Sequence, residues 1–258
     1  MNSFKSLERA IDILFSFSRI KTEQTPLEIA ESVGIPIPSV YRFLKTFEQK
    51  GLMEKNPSTG MYSLGYDLLI LESAVRNKIG LESITRPIID RISSETHETV
   101  QITILNKDHG LLLFSEESPN PPRFVPEFGF PMPLYAGSTV QIMMAYLPEE
   151  TQEQIISKGL QKFGPNSITS ANQLRIRLKE IKEVGYAVSN EEFYPGSKGV
   201  ALPIFIHGKK IIGSLAVSAP MERFEEQKEK EVLKLLSEQA AIISQRISIQ
   251  NEYNTKLF

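Results

Sequence analysis

The chain has 258 residues, enough for one large domain or two smaller ones, and its 41% hydrophobic and 23% charged residues are those of an ordinary globular protein. It contains no cysteine, which excludes disulfides, thiolate catalysis and cysteine-based zinc sites, and its three histidines, His97, His109 and His207, are scattered without ligand spacing. A formal net charge of -2 argues against a bulk polyanion binder, but not against a small DNA-reading module whose docking face alone is positive.

Leu7, Ala10, Ile11, Leu14 and Phe15 recur at steps of three and four, which predicts a first amphipathic helix. Lys21 to Gln24 reads as a polar loop. Thr25-Pro26-Leu27-Glu28 then combines an N-cap threonine, a proline at the first helical position and a glutamate at the capping-box position. Gly34 is placed to end this short helix. Pro38 can open a third helix, with Val40, Leu44 and Phe47 on one face, which Gly51 stops. Leu52–Lys55, the turn formers Asn56–Gly60 and Met61–Leu64 read as strand, turn, strand. Helix, short helix, turn, helix and hairpin within some sixty residues is a winged helix-turn-helix layout. A linker helix follows from Tyr66 to Lys78, broken at Gly80.

The remainder has a different rhythm. A helix is expected over Leu81–Glu95, kinked or restarted at Pro87. Thr99–Leu105 alternates as a strand, Asn106–Gly110 turns, and Leu111–Phe114 returns. Pro119–Pro133 reads as a proline- and aromatic-rich loop. Further helices are expected at Ser138–Leu147, Glu149–Leu160 and Ser170–Val184, and strands at Tyr186–Glu191, Val200–His207 and Lys210–Ser218. A long helix from about Glu222 to Ile249 closes the pattern. Strands and helices mixed in this way predict an α+β domain, an antiparallel sheet flanked by helices. No apolar run approaches the ~20 residues of a membrane span. The start, MNSFKSLERA, lacks the apolar core of a signal peptide, so the expected compartment is the cytoplasm.

A helix such as residues 38–50 can present its polar side to solvent alone. In a helix-turn-helix, however, the second helix enters the major groove while the first braces it. Val40, Leu44 and Phe47 would then anchor the helix, and Ser39, Tyr41, Arg42, Lys45 and Thr46 would face outward. Arginine is the commonest reader of guanine, and hydroxyls reach bases or phosphates.

The stretches SLERAIDIL, LEIAESVGIPIPSVYRFLKTFEQKGLM and GMYSLGYDLLIL closely resemble the N-terminal domain of the IclR family of bacterial transcription regulators. The resemblance continues through RPIIDRISSETHETVQITIL, PLYA and GYAVSNEEFYPGSKGVALPI to GSLAVSAP, and covers nearly the whole chain. It implies a winged helix-turn-helix DNA-binding domain at 1–65, a linker helix at 66–80, a GAF-like effector-binding domain at 81–251 and a tail at 252–258. It further implies a cytoplasmic regulator without a cofactor, metal or catalytic residues. Such a regulator acts as a homodimer or dimer of dimers on palindromic double-stranded operator DNA, with repression favoured, and is tuned by a small-molecule effector.

The family's recognition helix often opens Lys-Ser-Thr-Val-Tyr-Arg. Here it is Ile37-Pro38-Ser39-Val40-Tyr41-Arg42, and the wing, often Gly-x-Tyr-Arg-Leu-Gly, is Gly60-Met61-Tyr62-Ser63-Leu64-Gly65. Two basic residues are thus missing from the DNA-facing set. That set comprises Arg9, Thr25, Ser39, Tyr41, Arg42, Lys45, Thr46, Ser58 and Tyr62. A modest salt dependence is expected, since each phosphate neutralised contributes about −0.9 to the slope. Arg9 matches a family arginine and is equally able to pair with Asp12 or Glu8.

The family's pocket loop often reads Pro-Leu-His-Ala-Thr-Ala-x-Gly-Lys-Ala. Here it is Pro133-Leu134-Tyr135-Ala136-Gly137-Ser138-Thr139-Val140-Gln141-Ile142. A helix start at this point can hold an anion or be a plain N-cap. An acidic residue and a cysteine frequent in the family are Asn190 and Gly199 here, and of its Ser-x-Ser-Gly-Pro only Ser218 remains. The resemblance thus places the effector at Ala136, Gly137, Ser138, Asn190, Gly199 and Ser218. The substitutions predict a less polar, roomier pocket taking a carboxylate or a larger apolar ligand. Two other classes compete. An enzyme would need paired carboxylates, and Glu191 and Glu192, adjacent on an expected strand, would point to opposite faces. A non-catalytic sensor or assembly module would use the winged helix for protein contacts.

Overall fold

Thr25 starts the second helix as a reciprocal cap. Its hydroxyl accepts the Glu28 N–H at 3.3 Å, and the Glu28 carboxylate accepts the Thr25 N–H at 2.7 Å. Those hydrogen bonds hold the Glu28 carboxyl below the usual carboxylate range. Gly34, at φ 69°, ends the helix in the left-handed region. These features belong to a computed structural model that describes residues 4–18, 21–79 and 81–253. The chain divides into two compact units between Ile79 and Gly80. Among the described residues no helix is long and apolar enough to cross a membrane.

The first unit orders α1 (Lys5–Phe15), β1 (Glu23–Gln24), α2 (Pro26–Val33), α3 (Ile37–Gln49), β2 (Met53–Lys55), β3 (Tyr62–Leu64) and α4 (Leu68–Ile79). Ile13, Ile29, Val40, Leu44, Met53 and Tyr62 form its core. Two details differ from the sequence reading. Helix α3 opens at Ile37 rather than Pro38, with Pro36 extended at the N-cap, because Pro38 fits within the first turn, where its absent N–H would have no intrahelical partner. The stretch expected as a polar loop contains β1, which pairs with β3 to give the order β1-β3-β2. Gln24 makes this possible: it is fully buried, and its amide donates to the Ser16 carbonyl and hydroxyl. The helix break expected at Gly80 lies outside the described residues.

The second unit contains α5 (Leu81–Thr96), β4 (Thr99–Asn106), β5 (His109–Glu116), β6 (Met132–Pro133), α6 (Ser138–Ala145), α7 (Glu149–Ser157), α8 (Ala171–Val184), β7 (Ala187–Asn190), β8 (Ser197–Ile206), β9 (Lys210–Pro220) and α9 (Glu226–Tyr253). Its six strands form an antiparallel sheet in the order β6-β5-β4-β9-β8-β7. Helix α5 is not restarted at Pro87: the proline is exposed, and buried Ile88, Ile89 and Ile92 pack the other side. The loop expected through Pro133 ends in β6, an edge strand two residues long. Helix α9 reaches Tyr253, so the expected tail at 252–258 begins inside it; residues 254–258 lie outside the described set.

Strand alternation separates the two sheet faces. Gln101, Ser189, Gly199, Ala201, Ser214, Ala216 and Ser218 share one face by register, and the Ser214 hydroxyl donates to the Thr139 carbonyl of α6 at 2.7 Å. The opposite face meets α5 and α9: Glu116 pairs with Arg86, and Lys198 with Glu229. At the sheet's end Glu98, 1% exposed, receives Arg223 through two nitrogens and Lys228 at 2.8 Å. Burial alone would raise its pKa; these hydrogen bonds outweigh burial and lower it.

Thr25→Ala should destabilise the first unit by about 1 kcal/mol, whereas Thr25→Ser should retain most of the cap. Thermal denaturation of the full chain reads the difference.

Candidate DNA interface and ligand cavity

Helix α3 is held by Val40 and Leu44, both fully buried, with Phe43 and Phe47 packed alongside. Its other side carries Tyr41, Arg42, Lys45 and Thr46, all exposed, and Ser39, half-buried. Arg42 Nη2 donates to Ser39 Oγ at 3.2 Å, and Thr46 Oγ1 donates to the Arg42 carbonyl at 3.1 Å. Ser39, Arg42 and Thr46 therefore form one surface stripe, with Tyr41 and Lys45 beside it at helical spacing. Ile37 is exposed at the head of this helix.

The remaining DNA-facing expectations separate. Arg9 is exposed on α1. Ser58 is exposed at the hairpin tip, where the Asn56 side chain accepts its N–H and that of Thr59. Tyr62 needs correction: it is 5% exposed, because β3 turns its ring into the core, and what reaches the surface beside it is Lys55, whose ammonium lies 5.8 Å from the ring centroid. Thr25 is half-buried, and its hydroxyl is engaged in the α2 cap.

In the second unit a cavity with an empty volume of about 580 Å³, its mouth included, opens between the sheet and the start of α6. Phe124, Phe130, Phe193 and Tyr194 wall it, with Leu112 and Met132. Phe193 stacks on Phe163 at 4.8 Å and meets Tyr194 edge-on at 4.7 Å, so the wall is a connected aromatic cluster. The Tyr194 phenol is pushed above its ordinary pKa, by burial first and then by Glu127.

The floor is polar and uncharged. Ser138, Ser189 and Ser218 hydroxyls surround Gly199, and a Cβ there would lie 2.8 Å from Ser138 Oγ and 3.2 Å from Ser218 Oγ. Ser189 and Ser138 share a hydrogen bond of 3.0 Å, and Gln101 Nε2 donates to Ser218 Oγ at 2.7 Å. Ala136, Gly137, Ser138, Gly199 and Ser218 all line the cavity. Asn190 does not. It is exposed, and strand alternation puts it on the opposite sheet face, leaving its neighbour Ser189 to line the site. Gln101 and Ser189 were thus missed; a polar residue at an alternating position of an otherwise apolar strand was the available signal.

Glu191 and Glu192 lie beyond β7, in a loop, not on a strand. Glu191 has φ 53° and accepts the Gly196 N–H. Glu192 is buried under the start of α6, where the Gln141 amide and the Gly137 N–H donate to its carboxylate. Burial raises its pKa against the opposing influence of Arg177 and these hydrogen bonds. A raised carboxyl pKa means that the folded chain binds more protons than the unfolded one, so stability falls as pH rises from 4.5 through the folded value. Glu192→Gln removes that loss, and its amide oxygen can still accept from Gln141. The variant should lie nearest the parent below pH 4.5 and gain on it as pH rises above that value, measured as a difference in Tm.

Comparison with known proteins gives a consistent picture. Residues 6–57 match the IclR helix-turn-helix domain, and residues 73–245 match the bacterial transcriptional regulator IclR C-terminal domain. The HTH-type transcriptional regulator KipR of Bacillus subtilis is 25% identical over 95% of this chain and 98% of its own. The HTH-type transcriptional repressor AllR of Klebsiella pneumoniae is 24% identical over 85% of this chain and 81% of its own. An IclR homolog from Microbacterium hydrocarbonoxydans, solved in complex with 4-hydroxybenzoate, has the same fold: TM-score 0.81 and 23% identity, covering 94% of this chain and 98% of that one.

Proposed function

Because the chain belongs to the IclR family of bacterial transcriptional regulators, we propose that it is a ligand-responsive regulator, acting in the cytoplasm as a repressor on palindromic operator DNA. The observation that carries this reading is helix α3, pinned by Val40 and Leu44 and presenting exposed Arg42 and Thr46 with half-buried Ser39 as one surface stripe. Arg42 reads a base edge, Lys45 takes a phosphate, and Ser39, Tyr41 and Thr46 complete the contact, with Arg9 and Ser58 on flanking phosphates. The repressor name of AllR supports the sign of regulation.

Two copies act together. Phe4 at the N-cap of α1 and Leu7, Ile11 and Phe15 on it are exposed, and α4 leaves Leu69, Ile70, Leu71 and Val75 exposed. Apolar faces of this kind mark contact surfaces, and a second copy related by a two-fold axis explains a palindromic operator. A dimer of dimers extends the same logic. The aromatic cavity of the second unit holds the effector, and the 4-hydroxybenzoate bound to the Microbacterium homolog supports a ring-bearing ligand.

Anisotropy titrations against the DNA upstream of the chain's own gene test the reading. Arg42→Ala should cost about 1–3 kcal/mol and flatten preference at one base pair, while Lys45→Ala should weaken all sequences alike and lower the salt slope by about 1. Loss of preference at no position would assign Arg42 to a phosphate instead, and failure to bind any duplex would favour a protein-contact role for the winged helix.

A further inference from the structure

Glu192, 9% exposed, sits in a cluster that holds more acceptors than protons. Gln141, fully buried, donates from its amide to the Tyr135 carbonyl and to the Glu192 carboxylate, and the Gly137 N–H also donates to that carboxylate. These three hydrogen bonds leave buried Gln141 Oε1 with no donor. Turning the amide over would set its oxygen against the Tyr135 carbonyl and the carboxylate, so its orientation is fixed by its surroundings. A buried acceptor of this kind calls for a donor. A proton on Glu192 supplies one, because a carboxyl group donates through its O–H while its other oxygen still accepts.

The charges around Glu192 allow that proton. Lysine is frequent in the family at the position of Gln141, and an ammonium there would lie against the carboxylate and hold it ionised. The Gln141 amide brings no charge. The charge that acts on Glu192 is Arg177 of α8, whose guanidinium is committed to the Val188 carbonyl and, at 3.8 Å, to Glu180. The loop before α8 offers uncharged groups: the Gly164 N–H and the Ser167 hydroxyl donate to the Glu192 main-chain carbonyl. Glu191 turns away to the Gly196 N–H. Burial adds to this by disfavouring the ionised form, and water at the exposed edge of Glu192 can carry the proton in and out.

We propose that Glu192 is a proton switch beneath the cavity, gripping the Gly137 N–H when ionised and donating to Gln141 Oε1 when protonated. The ionised form is favoured by the positive end of the α6 dipole and is the stronger acceptor, so it holds the start of α6 firmly. The protonated form holds Gly137 less tightly. Gly137 lines the cavity, and Phe193, the next residue after Glu192, walls it. The ligand site therefore takes pH as a second input, a consequence that rests on the reading of this cavity as the effector site.

The Gly137 amide reports on the switch directly. Ala136-Gly137 is the one Ala-Gly step in the sequence, so alanine labelled with carbon-13 at the carbonyl and glycine labelled with nitrogen-15 give it a single correlated NMR signal in the full chain. Between about pH 8 and pH 5 its amide proton should move upfield along one titration curve, with a midpoint above the ordinary carboxyl range, since a neutral acceptor draws the proton less strongly than a charged one. Glu192→Gln should flatten the signal near the low-pH end of that curve. Gln141→Lys should flatten it near the high-pH end, because the ammonium keeps the carboxylate ionised. Glu191→Gln should leave the curve unchanged. A flat signal in the parent, a curve that survives Glu192→Gln, its loss in Glu191→Gln, or an unshifted midpoint in folded Gln141→Lys overturns the switch. Should Gln141→Lys not fold, as judged by circular dichroism, the two glutamate variants decide. No ligand takes part, so failure of the switch leaves the cavity reading standing.

Discussion

Strand alternation in the six-stranded sheet is the constraint on which the second unit depends. Alternate residues of β4, β7, β8 and β9 share the face toward α6, and on it small or polar residues recur: Gln101, Ser189, Gly199 and Ser218 at the cavity, with Ser214 and Ala216 beside them. A face built from large aliphatics would fill the space. Here α6 is able to approach closely, with seven of its eight residues buried, and room remains beyond its first turn. The arrangement requires partners for the polar atoms it buries. Ser214 finds the Thr139 carbonyl, and Gln141 finds Tyr135 and Glu192. The cavity lies at the serines around Gly199, which pair with one another and with Gln101.

A second constraint links this cavity to the frame. Arg223, gripped by the buried Glu98, also donates to the Asn120 and Pro122 carbonyls. The Thr99 hydroxyl donates to the Phe124 carbonyl at 2.6 Å. The loop that carries Phe124 over the cavity is therefore tied at its root to one carboxylate and to the first residue of β4. Lys228 joins the same carboxylate from α9. A charge this deeply buried is tolerated because two cations and their hydrogen bonds surround it, and removing either would leave it poorly compensated.

Local signals were legible in the sequence; non-local ones were not. The α2 capping box involves residues three apart, so Thr25 and Glu28 declared it. The anchored stripe of α3 follows from a helical period, and Val40 and Leu44 are buried as that period requires. Strand β1 escaped notice because Glu23 and Gln24 pair with Ser63 and Tyr62, forty residues away in sequence, and no local pattern reports such a partner. Tyr62 and Asn190 were misplaced for a related reason. A motif fixes a position along the chain, but which face a strand residue takes depends on register, and a shift of one residue reverses it. The same rule that removes Asn190 from the cavity brings Ser189 into it.

The isoleucine exposed at the head of α3 has a consequence for the regulator's distribution on a chromosome. Sequence-independent affinity comes from phosphate neutralisation, and every duplex offers phosphates. Under the DNA-reading role proposed for α3, an uncharged Ile37 where the family often carries lysine would lower the hold on bulk DNA, while Arg42 and Ser39 would keep the groups proposed to discriminate between bases. What governs occupancy is the ratio of specific to non-specific binding, weighed against the vast number of competing sites. Under that proposal, a reading helix with fewer phosphate contacts would leave fewer molecules stranded on irrelevant sequence, and a small pool of protein would keep its operator occupied.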